Sequence, residues 1–232
     1  MSFLFKLLGK DGATQCVVDS KHEAARVSHR PMEIGTRGSY AAAFGTGVLP
    51  AALGANSEIF QFRFVSASGF FCLLRSVTVD AAVSTTAFVA GVPPVLEMRI
   101  ARNWTVQGTL GTGITWGTDD GKKRTDFATT VLGANDVRIA TTAALGAGTK
   151  TLDGTALARR TGNTGGATVT TQIIPPGTVM WQRNTGDEYP VLLENQEGFV
   201  IRSVQVPATG TWQCGVQVEW SELDPSAITG WS

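Results

Sequence analysis

The chain has 232 residues, 43% of them hydrophobic and 16% charged, with 19 Lys and Arg balanced by 19 Asp and Glu. The charged share is low against about 25% in ordinary soluble domains, and zero net charge leaves no overall field to draw the chain onto nucleic acid or an anionic membrane. A chain of this length buries roughly 70–75% of its unfolded surface as one domain, so it needs neither metal nor disulfide, and no run approaches the ~20 apolar residues of a membrane-spanning helix.

The first residues carry an apolar cluster, Phe3, Leu4, Phe5, Leu7 and Leu8. It lacks a basic leading region, Lys6 interrupts it, and no small-residue cleavage site follows, so it reads as an apolar arm and not as a secretory signal. Such an arm either tucks onto its own domain or docks on a neighbouring subunit. Residues 1–55 show little periodicity. Ser20 to Arg26 fits a short helical turn, and Gly35, Gly38, Gly45, Gly47, Pro50 and Gly54 punctuate the rest. This segment is expected to be an extended leader, with the folded domain spanning residues 56–232.

Strand signals begin at Ser57. Phe60, Phe62 and Phe64 alternate with Gln61 and Arg63, the period of two of a half-buried strand. Residues 69–79 form a more buried run, and residues 95–101 alternate again, with Leu96, Met98 and Ile100 on one face. Residues 102–168 are rich in Gly, Thr and Ala and are read as short strands and long loops, with edge pairs near 125–131 and 136–143. They hold too few large apolar residues for a core of their own. Strands then return at Thr168 to Ile174, Thr178 to Gln182, Tyr189 to Glu194, Gly198 to Val206 and Thr211 to Glu222, separated by turns such as Pro175-Pro176-Gly177. The last strand is the clearest: Trp212, Cys214, Val216, Val218 and Trp220 face one way, and Gln213, Gly215, Gln217 and Glu219 the other. Many short antiparallel strands joined by turns predict an all-β sandwich or barrel.

Few residues offer chemistry. Cys16, Cys72 and Cys214 are odd in number, far apart and without a Cys-x-x-Cys pair, which argues against a disulfide framework or a zinc site. Cys72 and Cys214 sit in apolar runs as small reduced hydrophobes, which fits assembly in a reducing cytoplasm. The only histidines, His22 and His29, lie in the leader, away from a rigid scaffold for a nucleophile–base unit. Gly117 to Lys123 departs from a phosphate-binding loop in its glycine spacing and by Lys123 where Ser or Thr is needed, and reads as a polar hairpin tip. Asp119 and Asp120 are two carboxylates where a calcium cage needs six or more oxygens. Asp187 and Glu188 are adjacent, so a strand would point them to opposite faces, unlike a glycosidase pair. Trp104, Trp116 and Trp181 would stack on sugars if exposed, but are read first as core or interface anchors. No catalytic residue, metal ligand or cofactor is expected.

Two stretches carry a resemblance. One runs through Ala24-Ala25-Arg26-Val27, Arg30-Pro31, Gly38-Ser39-Tyr40 and Ala55-Asn56-Ser57-Glu58-Ile59-Phe60; the other through Glu197-Gly198-Phe199-Val200-Ile201-Arg202, Pro207-Ala208-Thr209-Gly210-Thr211-Trp212 and Val218-Glu219-Trp220-Ser221-Glu222. Together they resemble virion structural proteins of tailed bacteriophages. The resemblance implies a sandwich or jelly-roll subunit in the virion, assembled in the host cytoplasm as a homo-oligomer with other virion proteins, the major capsid protein first among them. The role it implies is capsid decoration, with a tail, neck or fibre-base component as the alternative; a glycan- or receptor-binding module is a competing reading outside the resemblance. On this view Phe3, Phe5, Leu7 and Leu8 are buried on a neighbouring subunit, and Arg26, Arg30 and Arg37 pair with its carboxylates.

Overall fold

The computed structural model describes residues 36–88, 92–163, 171–184 and 190–225, and ahead of them the backbone of two short strands, β1 (Val18–Asp19) and β2 (Ala24–Ala25). These two pair antiparallel, Val18 with Ala25, where a helical turn was expected. Residues 1–34 and 35–232 are separate compact units.

The second unit is a β-sandwich. Its strands are β3 (Thr36–Gly45), β4 (Leu49–Pro50), β5 (Ser57–Phe64), β6 (Phe71–Val83), β7 (Val95–Val106), β8 (Thr112–Gly113), β9 (Val137–Ile139), β10 (Thr149–Leu152), β11 (Ala158–Thr161), β12 (Gln172–Gln182), β13 (Leu192–Leu193), β14 (Glu197–Gln205) and β15 (Thr211–Leu223). Sheet I has the order β12-β6-β15-β3, with β13 on β6 and β4 on β15; sheet II has the order β10-β7-β14-β5-β9-β8, with β11 on β7. Every pairing is antiparallel. Take β3, β5, β6, β7, β11, β12, β14 and β15 as first to eighth. They then lie first-eighth-third-sixth in one sheet and second-seventh-fourth-fifth in the other, the double Greek key of a jelly roll.

The large alternating side chains dictate how the sheets meet. Phe60, Phe62, Phe64, Met98, Phe199 and Ile201 of sheet II pack against Trp212, Val216, Val218, Trp220, Val77 and Val79 of sheet I. Trp220 is the centre: it stacks on Tyr40 at 5.3 Å and meets Phe62 and Trp116 edge-on at 5.4 and 5.6 Å. Burying each such side chain contributes about 1.5–3 kcal/mol. Cys72 and Cys214 are free and buried in this core, where burial raises both thiol pKa values and keeps them protonated.

Four expectations need correction. Residues 36–50, assigned to the leader, form β3 and β4 of sheet I, with Tyr40 opposite Trp220 and Phe44 opposite Val216. Alanines and glycines between these aromatics hide the alternation. Pro175 to Gly177 do not divide two strands: β12 runs through them, and its register shifts between Ile174 and Thr178. Here β12 is the edge strand, where a residue without an N–H is tolerated. Residues 125–131 form no strand, and β9 is confined to Val137–Ile139. The Gly117 to Lys123 stretch is not a free hairpin tip but lies along the edge of β3: Ala41 N–H donates to Gly121 O at 2.7 Å and Lys123 N–H to Ser39 O at 2.9 Å. It covers part of an edge that would otherwise present unpaired backbone groups.

Candidate functional site

The fold concentrates its polar chemistry on the outer face of sheet II. A bulge in β5 sets this up: Ile201 pairs with Phe60 but Arg202 with Glu58, leaving Ile59 as an extra residue. Glu58 and Gln61, three apart, therefore share the outer face, and Gln61 Nε2 donates to Glu58 Oε2 at 2.6 Å. From Leu145, whose N–H donates to Glu58 O, the chain crosses to β10, which pairs with β7. This strap turns at Gly148, whose φ of +69° favours glycine. Beneath it, Lys150 returns toward the sheet. Its Nζ donates to Glu58 Oε2 at 2.9 Å and to Ala147 O, and lies 4.4 Å from the centre of the Trp104 ring. The side chains of Lys150 and Glu58 are only 2% and 8% exposed. Trp104 is buried with Ala101, Val200 and Leu152 in a second small apolar cluster, and its Nε1 donates to Val106 O at 3.0 Å. Burial pushes the Lys150 ammonium pKa down, against the opposing pull of Glu58.

The rest of that face is a set of ion pairs. Glu97 Oε2 accepts from Arg99 Nε at 3.1 Å and from Arg202 Nη2 at 3.1 Å. Burial alone would raise the Glu97 pKa, but the hydrogen bonds and charges of these two guanidiniums outweigh it and hold the carboxyl below its ordinary range. Arg63 grips Asp136 Oδ1 through Nε at 3.0 Å and Nη2 at 2.6 Å, and Arg102 bridges Asp153 and Glu197.

Another buried carboxylate closes one end of sheet I. Glu222, fully buried near the end of β15, accepts from Thr130 Oγ1 at 2.5 Å and Val131 N–H at 3.0 Å. Arg37 Nε lies 3.5 Å from its other oxygen, Arg37 Nη2 donates to Thr129 O at 2.9 Å, and the guanidinium sits 5.0 Å from the centre of the Phe70 ring. Burial raises the Glu222 carboxyl above its ordinary range, against the hydrogen bonds of Thr130 and Val131 and the Arg37 charge. Arg37, expected to reach a partner's carboxylate, is thus held by a carboxylate of its own chain.

The outer face of sheet I is different. It presents Ala43 and Gly45 from β3, Gln213 and Gln217 from β15, and Val179 from β12, all exposed, with Ser76, Thr78 and Asp80 of β6 between them. Near its edge Glu219 pairs with Lys123 at 2.7 Å. Apart from Asp80 and this ion pair, it is a surface of small and amide side chains.

The predicted residues are brought together only in part. Phe3, Phe5, Leu7, Leu8, Arg26 and Arg30 lie outside the described residues, as do Cys16, His22, His29, Asp187 and Glu188. Asp119 pairs with Lys122 at 3.0 Å, and Asp120 accepts from Gly117 N–H at 2.6 Å. Trp104 is 1% exposed, and Trp116 and Trp181 are partly buried against the main core. Among the described residues no group of three or more His, Cys, Asp or Glu is placed to hold a metal ion. The Lys150–Glu58–Gln61–Trp104 cluster had no signal in sequence, because its members are scattered over 93 positions and only the bulge and the strap unite them. No family model, curated protein or solved structure matches the chain.

Proposed function

We propose that this chain is a non-enzymatic structural subunit of a bacteriophage particle, decorating and stabilising the capsid by bridging major capsid subunits. The observation that carries the reading is the jelly-roll strand order, an architecture that recurs in viral capsid and lectin domains. A fold does not by itself assign a function; the reading also draws on the resemblance of the first and last strands to virion proteins and on the outer face of sheet I, whose small and amide side chains suit it to lie against other protein. In this reading sheet I meets neighbouring subunits, copies of this chain among them, while Phe3, Phe5, Leu7, Leu8, Arg26 and Arg30 reach across to them. Arg37 is not in that set, because Glu222 and Thr129 already hold it.

The test is cryo-electron microscopy of the particle that carries this chain, with a variant lacking residues 2–12 in parallel. Many copies on the shell, lost on deletion of the arm, are the expected result. Density confined to the tail or neck would remove capsid stabilisation as the role, and absence from the particle would overturn the reading. A glycan-binding module is the second reading, since jelly rolls also build lectins. Trp104 is too buried to stack on a sugar ring, so this alternative predicts saccharide affinity lost on replacing Trp181 by Ala.

A further inference from the structure

The cluster beneath the strap contains more than an ion pair. A single carboxylate oxygen, Glu58 Oε2, is the acceptor for two nitrogens of different chemistry: the Lys150 amine at 2.9 Å and the Gln61 carboxamide at 2.6 Å. Gln61 Nε2 also donates to Gly146 O at 2.9 Å, whereas Gln61 Oε1 is buried with no hydrogen-bond partner. The chain just past β7 presses on this amide closely: a Cβ on Gly108 would collide with Gln61 Oε1 and with Gly146 O of the strap. A buried amine, a buried carboxamide and a carboxylate touching both are the components of an amide exchange.

We propose that Lys150 and Gln61 become joined by an intramolecular amide bond, with Glu58 as the proton carrier. Glu58 Oε2 takes a proton from Lys150 Nζ. The neutral amine adds its lone pair to Gln61 Cδ, and the carbonyl π electrons move onto Oε1. Glu58 returns that proton to Nε2, the Cδ–Nε2 bond breaks as the carbonyl re-forms and releases ammonia, and the adduct's Nζ sheds its second proton through Glu58 to that ammonia, which leaves as ammonium. One C–N bond forms and one breaks, one ammonia is lost, and no oxidant, metal or nucleotide is consumed.

The surroundings favour the proton transfers and the approach of the amine. Burial disfavours the charged form of the lysine and so raises the share of nucleophilic amine. The carboxylate contacts both the nitrogen that loses a proton and the nitrogen that must gain one, so a single group serves as base and then acid. Holding amine and amide on one oxygen replaces a bimolecular encounter with a local one, and the strap excludes the water that would hydrolyse the amide instead. No donor faces Oε1, so the developing oxyanion has no prebuilt stabilisation. The chemistry is therefore a slow, single maturation event in each molecule and not a turnover. Its product would fasten the strap to β5 by a covalent bond across β14 and β7, whatever particle or partner the sandwich serves.

The experiment is intact mass spectrometry of the purified full-length protein, held folded for days, followed by proteolysis and sequencing of joined peptides. The expected result is a chain lighter than its sequence by one ammonia, with the peptide holding Gln61 joined to the peptide holding Lys150. Glu58→Gln and Lys150→Arg should retain the full sequence mass. A wild-type chain that keeps its full mass overturns the proposal without reference to any variant, and so does an ammonia loss with no joined pair.

Discussion

The two outer faces of the sandwich solve opposite problems. Sheet II turns outward charged and amide side chains, and the fold gives them partners: Glu97 between Arg99 and Arg202, Arg63 on Asp136, Lys150 on Glu58. It then lays a strap and a tryptophan over part of them, so that this face works as a second, smaller core. Sheet I turns outward Ala43, Gly45, Gln213 and Gln217, which need no partner within the chain and cost little to desolvate against another protein. The difference teaches that a polar strand face is not always a solvated one. Charge on a sheet face calls for internal cover, whereas a face of small and amide side chains does not.

The sharpest way to break this comparison is Trp104→Ala. If the outer face of sheet II is a true core, the loss should approach that of a central aromatic, about 3–5 kcal/mol, measured as a fall in the urea midpoint with an unchanged slope. A loss below about 1 kcal/mol would place Trp104 on an ordinary surface. Trp104 belongs to the second cluster and not to the main core, so this result isolates the second cluster from the first.

Two of the buried glutamates, Glu97 and Glu222, give the next test, with opposite signs. The Glu97 pKa is lowered in the folded state, so its stabilisation is present above the unfolded carboxyl value near 4.5 and is lost as pH falls through the lower folded value. The Glu222 pKa is raised, so its stabilisation is complete below that unfolded value and is lost as pH rises through the higher folded one. At neutral pH Glu97→Gln should cost about 3 kcal/mol, because it leaves two guanidiniums partly buried without their carboxylate, and it should flatten the acid limb of the stability profile. Glu222→Gln should instead remove the decline on going from acid toward neutral. Urea denaturation across the pH range measures both, and identical profiles for the two variants would show that the two sites do not differ in the way the structure indicates.

Legibility in the sequence follows the size of the side chains. β15 was readable because Trp212, Cys214, Val216, Val218 and Trp220 alternate with small or polar residues, and β5 because three phenylalanines do the same. β3 was not, since Ala41, Ala42 and Ala43 look alike on either face and only its pairing with β15 separates them. The cluster on sheet II was hidden for a different reason. A lysine, a glutamine and a glutamate are each read as solvated, and their union depends on Ile59 being an extra residue opposite β14, a feature without a composition mark. Arg37 shows the converse case: an arginine in an irregular-looking leader reads as a hand held out to a partner, and β3 places it beside a carboxylate of its own chain.

The smallest expected effect on folding carries the most for function. Gln213→Lys with Gln217→Lys places two charges on the exposed face of sheet I without touching the core or any ion pair described above. Exposed substitutions of this kind shift stability by no more than about 0.5 kcal/mol, so the doubly substituted sandwich should unfold at nearly the wild-type urea concentration. If the chain decorates a particle as proposed, its attachment should nonetheless fall, because an uncompensated charge in a protein contact must be desolvated. Retained attachment at wild-type level would show that sheet I is not the contacting face and would move the interface to the arm alone. A large loss of stability would break the comparison itself, since it would mean that this face, like its opposite, is already covered within the chain.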